Sequence, residues 1–186
     1  MELSFLYAIP RTHILDVIFL IITKIVGSNG QNWVLVGLAL LIPKKTRRVG
    51  TAVLLSWTFA SIFCHFILKP LIMRPRPCQI DQAFALLVDR PTESSFPSVH
   101  SAQAFAAATA IFRKYKKAGI AAFVAASLIA FSRMYLFLHF PTDVLCGIII
   151  GIILGIAADK ICDIVADRKK RQKEPGDVPS EEHDDH

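Results

Sequence analysis

Runs of apolar residues, separated by short basic or proline-rich breaks, restrict the fold of this chain more than any other feature of its sequence. Hydrophobic residues make up 53% of its 186 positions, against about 45–50% in a typical soluble domain. That excess is small, but its concentration in long runs is typical of helices that cross a bilayer. The sequence therefore predicts an all-α integral membrane protein.

Six of these runs are candidates for transmembrane helices in one bundle. They lie at residues 13–26, 33–42, 49–68, 98–112, 118–138 and 141–165. The first two are short for a membrane span, and residues 3–9 are shorter still, which indicates a segment in the membrane interface. Residues 27–30 are predicted to form a turn. Residues 1–166 are therefore predicted to form one membrane-embedded domain, followed by a charged, disordered cytoplasmic tail at 167–186.

Basic residues cluster in three segments beside the apolar runs. Residues 44–48, 113–117 and 168–173 hold 13 of the 21 lysines and arginines. With six spans, all three segments fall on one side of the membrane, and such enrichment is typical of the cytoplasmic side. The net charge of +6 is therefore a membrane signal and predicts no nucleic-acid partner. Residues 69–96, the start of the fourth span and the turn before the sixth then lie at the outer face.

The outer segments carry polar residues suited to binding a phosphate group. Lys69, Arg76 and Arg133 supply one ammonium and two guanidinium groups, and arginine can match phosphate oxygens with two parallel hydrogen bonds. Ser98 precedes the fourth span, where it can cap the helix or present its hydroxyl to an anion at the helix N-terminus. His100 lies in the same first turn and can protonate a leaving oxygen.

The turn before the sixth span adds a histidine and a carboxylate. A continuous helix would place His139 about 240° around from Arg133, facing away from it. Pro141 disfavours helical geometry at Phe140, so the helix should end earlier and the imidazole can turn back toward the cations. Asp143 can then accept from one ring nitrogen and leave the other nucleophilic. With no acidic cluster to hold a metal, and no cofactor, this set predicts metal-free phosphoryl transfer through a phosphohistidine.

The order and spacing of these residues resemble the signature of the type 2 phosphatidic acid phosphatase superfamily. The motifs read Lys69-x6-Arg76-Pro77, Pro97-Ser98-Val99-His100 and Ser132-Arg133-x5-His139-x3-Asp143. Members of that superfamily include lipid phosphatases and, on a soluble version of the fold, vanadium haloperoxidases. The resemblance implies a six-helix bundle with its active site at the extracytoplasmic face.

The resemblance also implies a role for each matching residue. The catalytic residues would be His139 as nucleophile, Asp143 as its partner and His100 as general acid. The phosphate ligands would be Lys69, Arg76, Ser98 and Arg133. Position 99 departs from the family pattern, because the usual residue there is glycine, which permits positive φ and close approach to a ligand. Val99 keeps its N–H and is retained as a substrate-binding position, with the role of its amide left open.

The expected activity is hydrolysis of a lipid phosphate or diphosphate in a bacterial plasma membrane. An outward-facing site suits a lipid carrier that loses one phosphate before reuse, which favours undecaprenyl diphosphate as substrate. Phosphatidate and phosphatidylglycerophosphate are the alternatives within this class. A non-catalytic lipid-phosphate-binding protein, and a transporter or scaffold, are the alternatives from other classes. The sequence specifies no oligomeric state.

Three further features predict packing within the bundle. Gly147, Gly151 and Gly155 recur every four residues and form a stripe that lets another helix approach closely. His65, four residues before Lys69, is interpreted as a packing residue. The four cysteines are scattered, without metal or disulfide spacing, which favours a packing role for them too.

Overall fold

Every regular element in the described part of the chain is a helix. The computed structural model describes residues 1–26 and 30–172. Its elements are α1 (Glu2–Tyr7), α2 (His13–Val26), α3 (Asn32–Leu41), α4 (Arg47–Ser61), a π-helical segment (Ile62–Leu68), α5 (Lys69–Ile72), α6 (Pro77–Ile80), α7 (Val99–Lys114), α8 (Lys116–Tyr135) and α9 (Pro141–Arg171). The predicted all-α class is confirmed. Residues 27–29 of the predicted turn and residues 173–186 of the predicted tail lie outside the described residues.

Within residues 1–26 and 30–172, three helical segments are long and apolar enough to cross a membrane. They are Arg47–Ile80, Lys116–Tyr135 and Pro141–Arg171, and Asn32–Leu41 is a shorter apolar helix. α2, α3 and α7 have 14, 10 and 16 residues, which at about 1.5 Å per residue is less than a hydrocarbon core of about 30 Å. The protein is therefore a membrane protein, and the count of six spans stays a prediction.

The alanine-rich helix α7 is the centre of the bundle. All of its residues from Ser101 to Ile111 are buried, and it packs against α4, α8 and α9. The glycine stripe of α9 faces it, as predicted. A Cβ atom at Gly151 or Gly155 would lie 2.4 or 2.6 Å from a backbone oxygen of α7, and one at Gly147 would lie 2.6 Å from the carbonyl oxygen of Ser98, the N-cap residue of α7. The two helices therefore approach each other at a distance that only glycine permits at these positions.

The third apolar run forms a longer and less regular helix than predicted. The run is predicted to end at residue 68, but the helix continues through the π-helical segment and α5 to Ile72. In this region the Lys69 N–H bonds to the Cys64 carbonyl, five residues back. Pro70 has no N–H and its ring crowds the carbonyl of Phe66, so the backbone widens here instead of keeping the α-helical ladder.

The last helix also extends beyond its expected end. α9 runs to Arg171 rather than to about residue 165, so the first part of the predicted tail is helical. The last turn carries four consecutive basic residues, Arg168 to Arg171. Cations at a helix C-terminus are stabilised by the partial negative charge of the unpaired carbonyls.

Candidate active site

The residues of the three motifs meet around one cavity of about 650 Å³ at one end of the bundle. The cavity is lined by Lys69, Arg76, Val99, His100, Arg133 and His139, among others. Ser98 and Asp143 lie behind its wall, with no exposed surface. The structure therefore brings together all eight predicted site residues, six at the cavity surface and two beneath it.

The turn between α8 and α9 places His139 as the sequence predicted. α8 ends at Tyr135, well before Pro141. The Arg133 carbonyl accepts from the N–H groups of Leu138 and His139, at 3.0 and 3.3 Å, and Phe137 adopts a left-handed conformation with φ of 60°. The chain thus folds back on the last turn of α8. As a result the imidazole faces the cations, with its Nε2 3.1 Å from Arg76 Nη1.

That contact fixes the tautomer of the imidazole. A guanidinium group can only donate hydrogen bonds, so Nε2 of His139 is the acceptor and Nδ1 carries the proton. Burial disfavours the imidazolium, and although Asp143 opposes this effect, the pKa of His139 is lowered to about 4. Near neutral pH the ring is therefore uncharged, with the lone pair of Nε2 directed toward the cavity.

The link between His139 and Asp143 differs from the expected direct hydrogen bond. Nδ1 of His139 is 3.8 Å from Asp143 Oδ2 and 3.5 Å from the hydroxyl of Ser95. Ser95 in turn donates to Asp143 Oδ2 at 2.5 Å. Ser95 therefore lies between the two side chains, a position that the motif spacing did not reveal.

Asp143 is held rigidly where α9 begins. It is the third residue of the helix, and Oδ2 accepts from the backbone N–H of Phe140 at 2.9 Å, as in a capping box. Its other oxygen, Oδ1, accepts from Arg74 at 2.7 Å. With donors on both oxygens, this fully buried carboxylate can stay ionised beside the imidazole.

The three predicted phosphate-binding cations are all buried, with exposed fractions of 8% for Lys69, 5% for Arg76 and 3% for Arg133. Arg133 donates to Thr23 at 2.6 Å and to the hydroxyl of the neighbouring Ser132. Arg76 donates from Nε to the Glu93 carbonyl at 2.9 Å. Three buried like charges are costly unless an anion compensates them, so the site favours a phosphate-sized anion.

Glu93 is the acidic side chain that faces these cations, and the sequence analysis did not identify it. Its carboxylate accepts from Lys69 Nζ at 2.5 Å. That hydrogen bond, acting against partial burial, lowers the pKa of Glu93, so it is charged near neutral pH. His65 lies 3.8 Å from the same carboxylate, with a side chain 43% exposed, and it lines the cavity. The interpretation of His65 as a packing residue is therefore wrong.

The start of α7 shows how Ser98 and Val99 fit the site. Ser98 is the N-cap residue: its hydroxyl accepts from the Ser101 N–H at 3.4 Å, and its own N–H donates to the Asp143 carbonyl at 3.0 Å. Val99 is the first residue of the helix, and it is absent from the positive-φ residues in the described part of the chain. Valine in place of glycine therefore needs no strained backbone here.

Buried cations surround an uncharged histidine at one end of a helical membrane bundle, an arrangement that can hold an anion. The family model described as PAP2 superfamily matches residues 50–161. The chain belongs to this superfamily, which confirms the resemblance seen in its motifs.

Individual relatives are phosphatases of several kinds. The chain is 31% identical to an undecaprenyl-diphosphatase of Sulfolobus acidocaldarius over 116 residues, covering 62% of this chain and 56% of that one. It is 35% identical to a lipid A 4'-phosphatase of Bacteroides thetaiotaomicron over 106 residues, covering 53% and 47%. The chain thus spans about half the length of these two relatives.

Two solved structures share the fold over most of their length. One is a transmembrane PAP2-type phosphatidylglycerolphosphate phosphatase from Bacillus subtilis, with a TM-score of 0.71 and 28% identity, covering 88% of this chain and 85% of that one. The other is Aquifex aeolicus LpxE, with a TM-score of 0.72 and 29% identity, covering 86% and 94%.

Proposed function

We propose that this protein is a membrane phosphatase that hydrolyses a lipid phosphate or diphosphate through a phosphohistidine intermediate. The observation that carries the proposal is the buried, uncharged His139, whose Nε2 faces a cavity beside three buried cations. A neutral imidazole is the nucleophilic form, and fixed cations stabilise the charge that a transferring phosphoryl group carries.

In the first step, the lone pair of His139 Nε2 forms a bond to phosphorus while the bond to the leaving oxygen breaks. Lys69, Arg76 and Arg133 hold the phosphoryl oxygens, and His100 gives its proton to the leaving group. Arg76 transfers its hydrogen bond from Nε2 to a phosphoryl oxygen. The N–H at Nδ1 faces Ser95 and Asp143, whose negative charge stabilises the phosphorylated, cationic ring.

In the second step, water attacks the phosphorus, gives a proton to His100, and the N–P bond breaks. Inorganic phosphate leaves, and both histidines return to their starting forms. The proposed binding groups are cationic side chains, and the described residues contain no group of three or more His, Cys, Asp or Glu side chains placed to hold a metal ion. We therefore propose that no metal ion is required.

For orientation we propose that the site faces outward. Arg48 and Arg113 both pair with Asp159 of α9. Asp159 lies 16 residues after Asp143, about 24 Å along the helix. These basic residues thus lie at the end of the bundle opposite the site, and the enrichment of basic residues on the cytoplasmic side supports an outward-facing site in a multi-pass bacterial plasma membrane protein.

Undecaprenyl diphosphate is our proposed substrate, with undecaprenyl phosphate and inorganic phosphate as products. A site at the headgroup level lets the lipid tail stay in the bilayer, and a carrier that delivers its cargo outside must lose one phosphate there. The similarity to an undecaprenyl-diphosphatase supports this choice. Phosphatidylglycerophosphate is the second candidate, supported by the structural similarity to the Bacillus subtilis enzyme, and phosphatidate is a third.

The test is phosphate release from a panel of these lipids by purified protein in excess EDTA. We expect turnover in wild type, none in His139→Ala, and an acid-labile phosphoryl group on the protein after rapid quench. His65→Ala is a matched control, because His65 lines the same cavity and should retain the label. Activity in His139→Ala would refute the phosphohistidine, and strict dependence on Mg²⁺ would refute metal independence. Absence of turnover with every lipid would favour the non-catalytic binding protein.

The orientation has its own test, labelling in whole cells with a membrane-impermeant thiol reagent. Arg90 lines the cavity and is exposed, so Arg90→Cys should react. Lys116, at the start of α8 near the opposite end, is also exposed, and Lys116→Cys should not react. Wild-type protein sets the background from the native cysteines, and the reverse pattern would overturn the orientation.

A further inference from the structure

Arg74 connects the buried carboxylate of Asp143 to the N-terminal helix. Its Nη1 donates to Asp143 Oδ1 and to the hydroxyl of Thr142, each at 2.7 Å. Its Nη2 pairs with the carboxylate of Glu2, and its guanidinium lies 4.2 Å from the centre of the Phe140 ring. The guanidinium group thus contacts Phe140, Thr142 and Asp143 at the start of α9.

Glu2 closes this network from the side of α1. Its Oε1 accepts from the N–H of Thr142 at 3.2 Å and from the Thr142 hydroxyl at 2.6 Å, while Oε2 pairs with Arg74. The Tyr7 ring, at the other end of α1, packs 5.3 Å from the ring of Phe137 in the turn that carries His139. α1 therefore contacts the catalytic turn on both sides of His139.

We infer that Arg74 and Glu2 are positioning residues that hold Asp143, and through it His139, in the reactive arrangement. The inference rests on the proposed phosphatase function. The described residues that line the catalytic cavity do not include Arg74. It borders a neighbouring hollow of about 500 Å³ instead, so it supports the carboxylate from behind and does not bind the phosphate. α1, which overlaps the 3–9 segment predicted to lie in the membrane interface, thereby supports the turn that carries His139.

The charges explain why both residues matter. Arg74 supplies a permanent positive charge that keeps the fully buried Asp143 ionised without a proton from His139. Because Glu2 shares that guanidinium, Arg74 screens only part of the negative charge of Asp143. The remaining charge can stabilise the His139 ring, which becomes cationic on phosphorylation. Without Arg74, Asp143 keeps its hydrogen bonds on Oδ2 but loses the cationic donor on Oδ1. Without Glu2, Arg74 screens the charge of Asp143 more completely.

The experiment measures kcat and KM for Arg74→Gln, Arg74→Lys and Glu2→Gln on the lipid phosphate that wild type hydrolyses best. We expect kcat to fall about tenfold or more in Arg74→Gln with KM within about twofold of wild type, since the loss affects the reacting histidine and not substrate binding. Arg74→Lys should recover part of kcat, and Glu2→Gln should lose less than Arg74→Gln. Rapid quench should show slower formation of the phosphohistidine.

Tyr7→Phe is the matched control, because it removes the hydrogen bond from Tyr7 to Asp81 and leaves Glu2 and Arg74 in place. It should retain kcat. An equal loss of kcat in Tyr7→Phe and Glu2→Gln would mean that mere docking of α1 matters, and would overturn the inference. A raised KM with unchanged kcat in Arg74→Gln would make Arg74 a substrate ligand and overturn it as well. Wild-type protein that hydrolyses no lipid phosphate would instead defeat the proposed function itself.

Discussion

Adding a single methyl group at one end of the α7–α9 contact should lower activity far more than the same addition at the other end. Gly147 and Gly155 both face α7. A Cβ at Gly147 would lie 2.6 Å from the Ser98 carbonyl oxygen, and one at Gly155 would lie 2.6 Å from the Ala106 carbonyl oxygen. Each contact is about 0.8 Å shorter than the 3.4 Å at which ordinary van der Waals contact begins. The next contact is shorter at Gly155, 2.7 Å to Thr109 Cβ, than at Gly147, 3.2 Å to Ser101 Cβ. Gly155→Ala should therefore separate the two helices at least as much as Gly147→Ala.

The loss of stability in Gly155→Ala should be at least as large as in Gly147→Ala. Overpacking of this kind costs about 1–3 kcal/mol, and the greater helix propensity of alanine offsets up to about 1 kcal/mol of it. The effect on catalysis should differ, because the Ser98 N–H bonds to the Asp143 carbonyl at 3.0 Å and His100 lies two residues further on. A displacement approaching 1 Å at a reacting group can cost about 100-fold, so kcat should fall about 10- to 100-fold in Gly147→Ala and less than about threefold in Gly155→Ala.

Both variants would be purified in one detergent and assayed with one lipid phosphate, with Tm followed by tryptophan fluorescence. We expect Tm to fall at least as much in Gly155→Ala as in Gly147→Ala, whereas kcat should fall far more in Gly147→Ala. Equal losses of kcat in the two variants would show that general loosening of the bundle governs activity. Wild-type kcat in Gly147→Ala, despite a lower Tm, would show that the start of α7 need not be held so closely to Asp143.

Two further predictions concern charges at the site. Glu93→Gln should lower the inhibition constant Ki of vanadate about threefold, because Lys69 is released to bind the anion; the factor is modest because Glu93 is half exposed. The control is Asp89→Asn, which removes a charge from the same cavity wall. An equal change of Ki in both variants would contradict a specific role of the Glu93–Lys69 pair. Burial lowers the pKa of His139 in the folded protein to about 4, below its ordinary value of about 6.5. Between these two pH values the unfolded chain therefore binds one more proton than the folded protein. The free energy of unfolding should fall as the pH falls through that range. The loss should be about 2 kcal/mol at pH 5, and the decrease in Tm from pH 7 to pH 5 should be smaller in His139→Asn; an equal decrease would contradict the buried, neutral ring.

Local chemistry made much of this fold and site predictable from sequence. Apolar runs gave the helices, and the restriction that Pro141 imposes on Phe140 correctly predicted that α8 ends early and that His139 turns back. The four-residue spacing of glycines correctly predicted a close helix contact. Each of these inferences depends on residues within about two helical turns of one another, where backbone geometry fixes the outcome.

The missed features depend on contacts between distant parts of the chain. Ser95, Glu93 and Arg74 lie in a segment without helical or strand periodicity, so their spacing carries no information on the direction of their side chains. Glu2 and Arg74 are far apart in sequence, and nothing in α1 alone indicates that Glu2 pairs with Arg74. The expected hydrogen bond between His139 and Asp143 is not direct, because the Ser95 hydroxyl lies between the two side chains. The spacing of His139 and Asp143 in the sequence gives no sign of that hydroxyl.

The π-helical segment before Lys69 has a consequence for how this chain tolerates insertions and deletions. Its hydrogen bond from Lys69 to Cys64 spans one residue more than an α-helical bond would, so every side chain after it is turned by about 100° relative to an uninterrupted α-helix. Removing one residue between Ile62 and Leu68 would restore a regular helix at little cost in hydrophobicity. Lys69 would then still face the cavity, because the wider turn already absorbs one extra residue. A deletion elsewhere in the helix would instead turn Lys69 by about 100°, so the segment is the position at which this helix can lose a residue without moving the lysine.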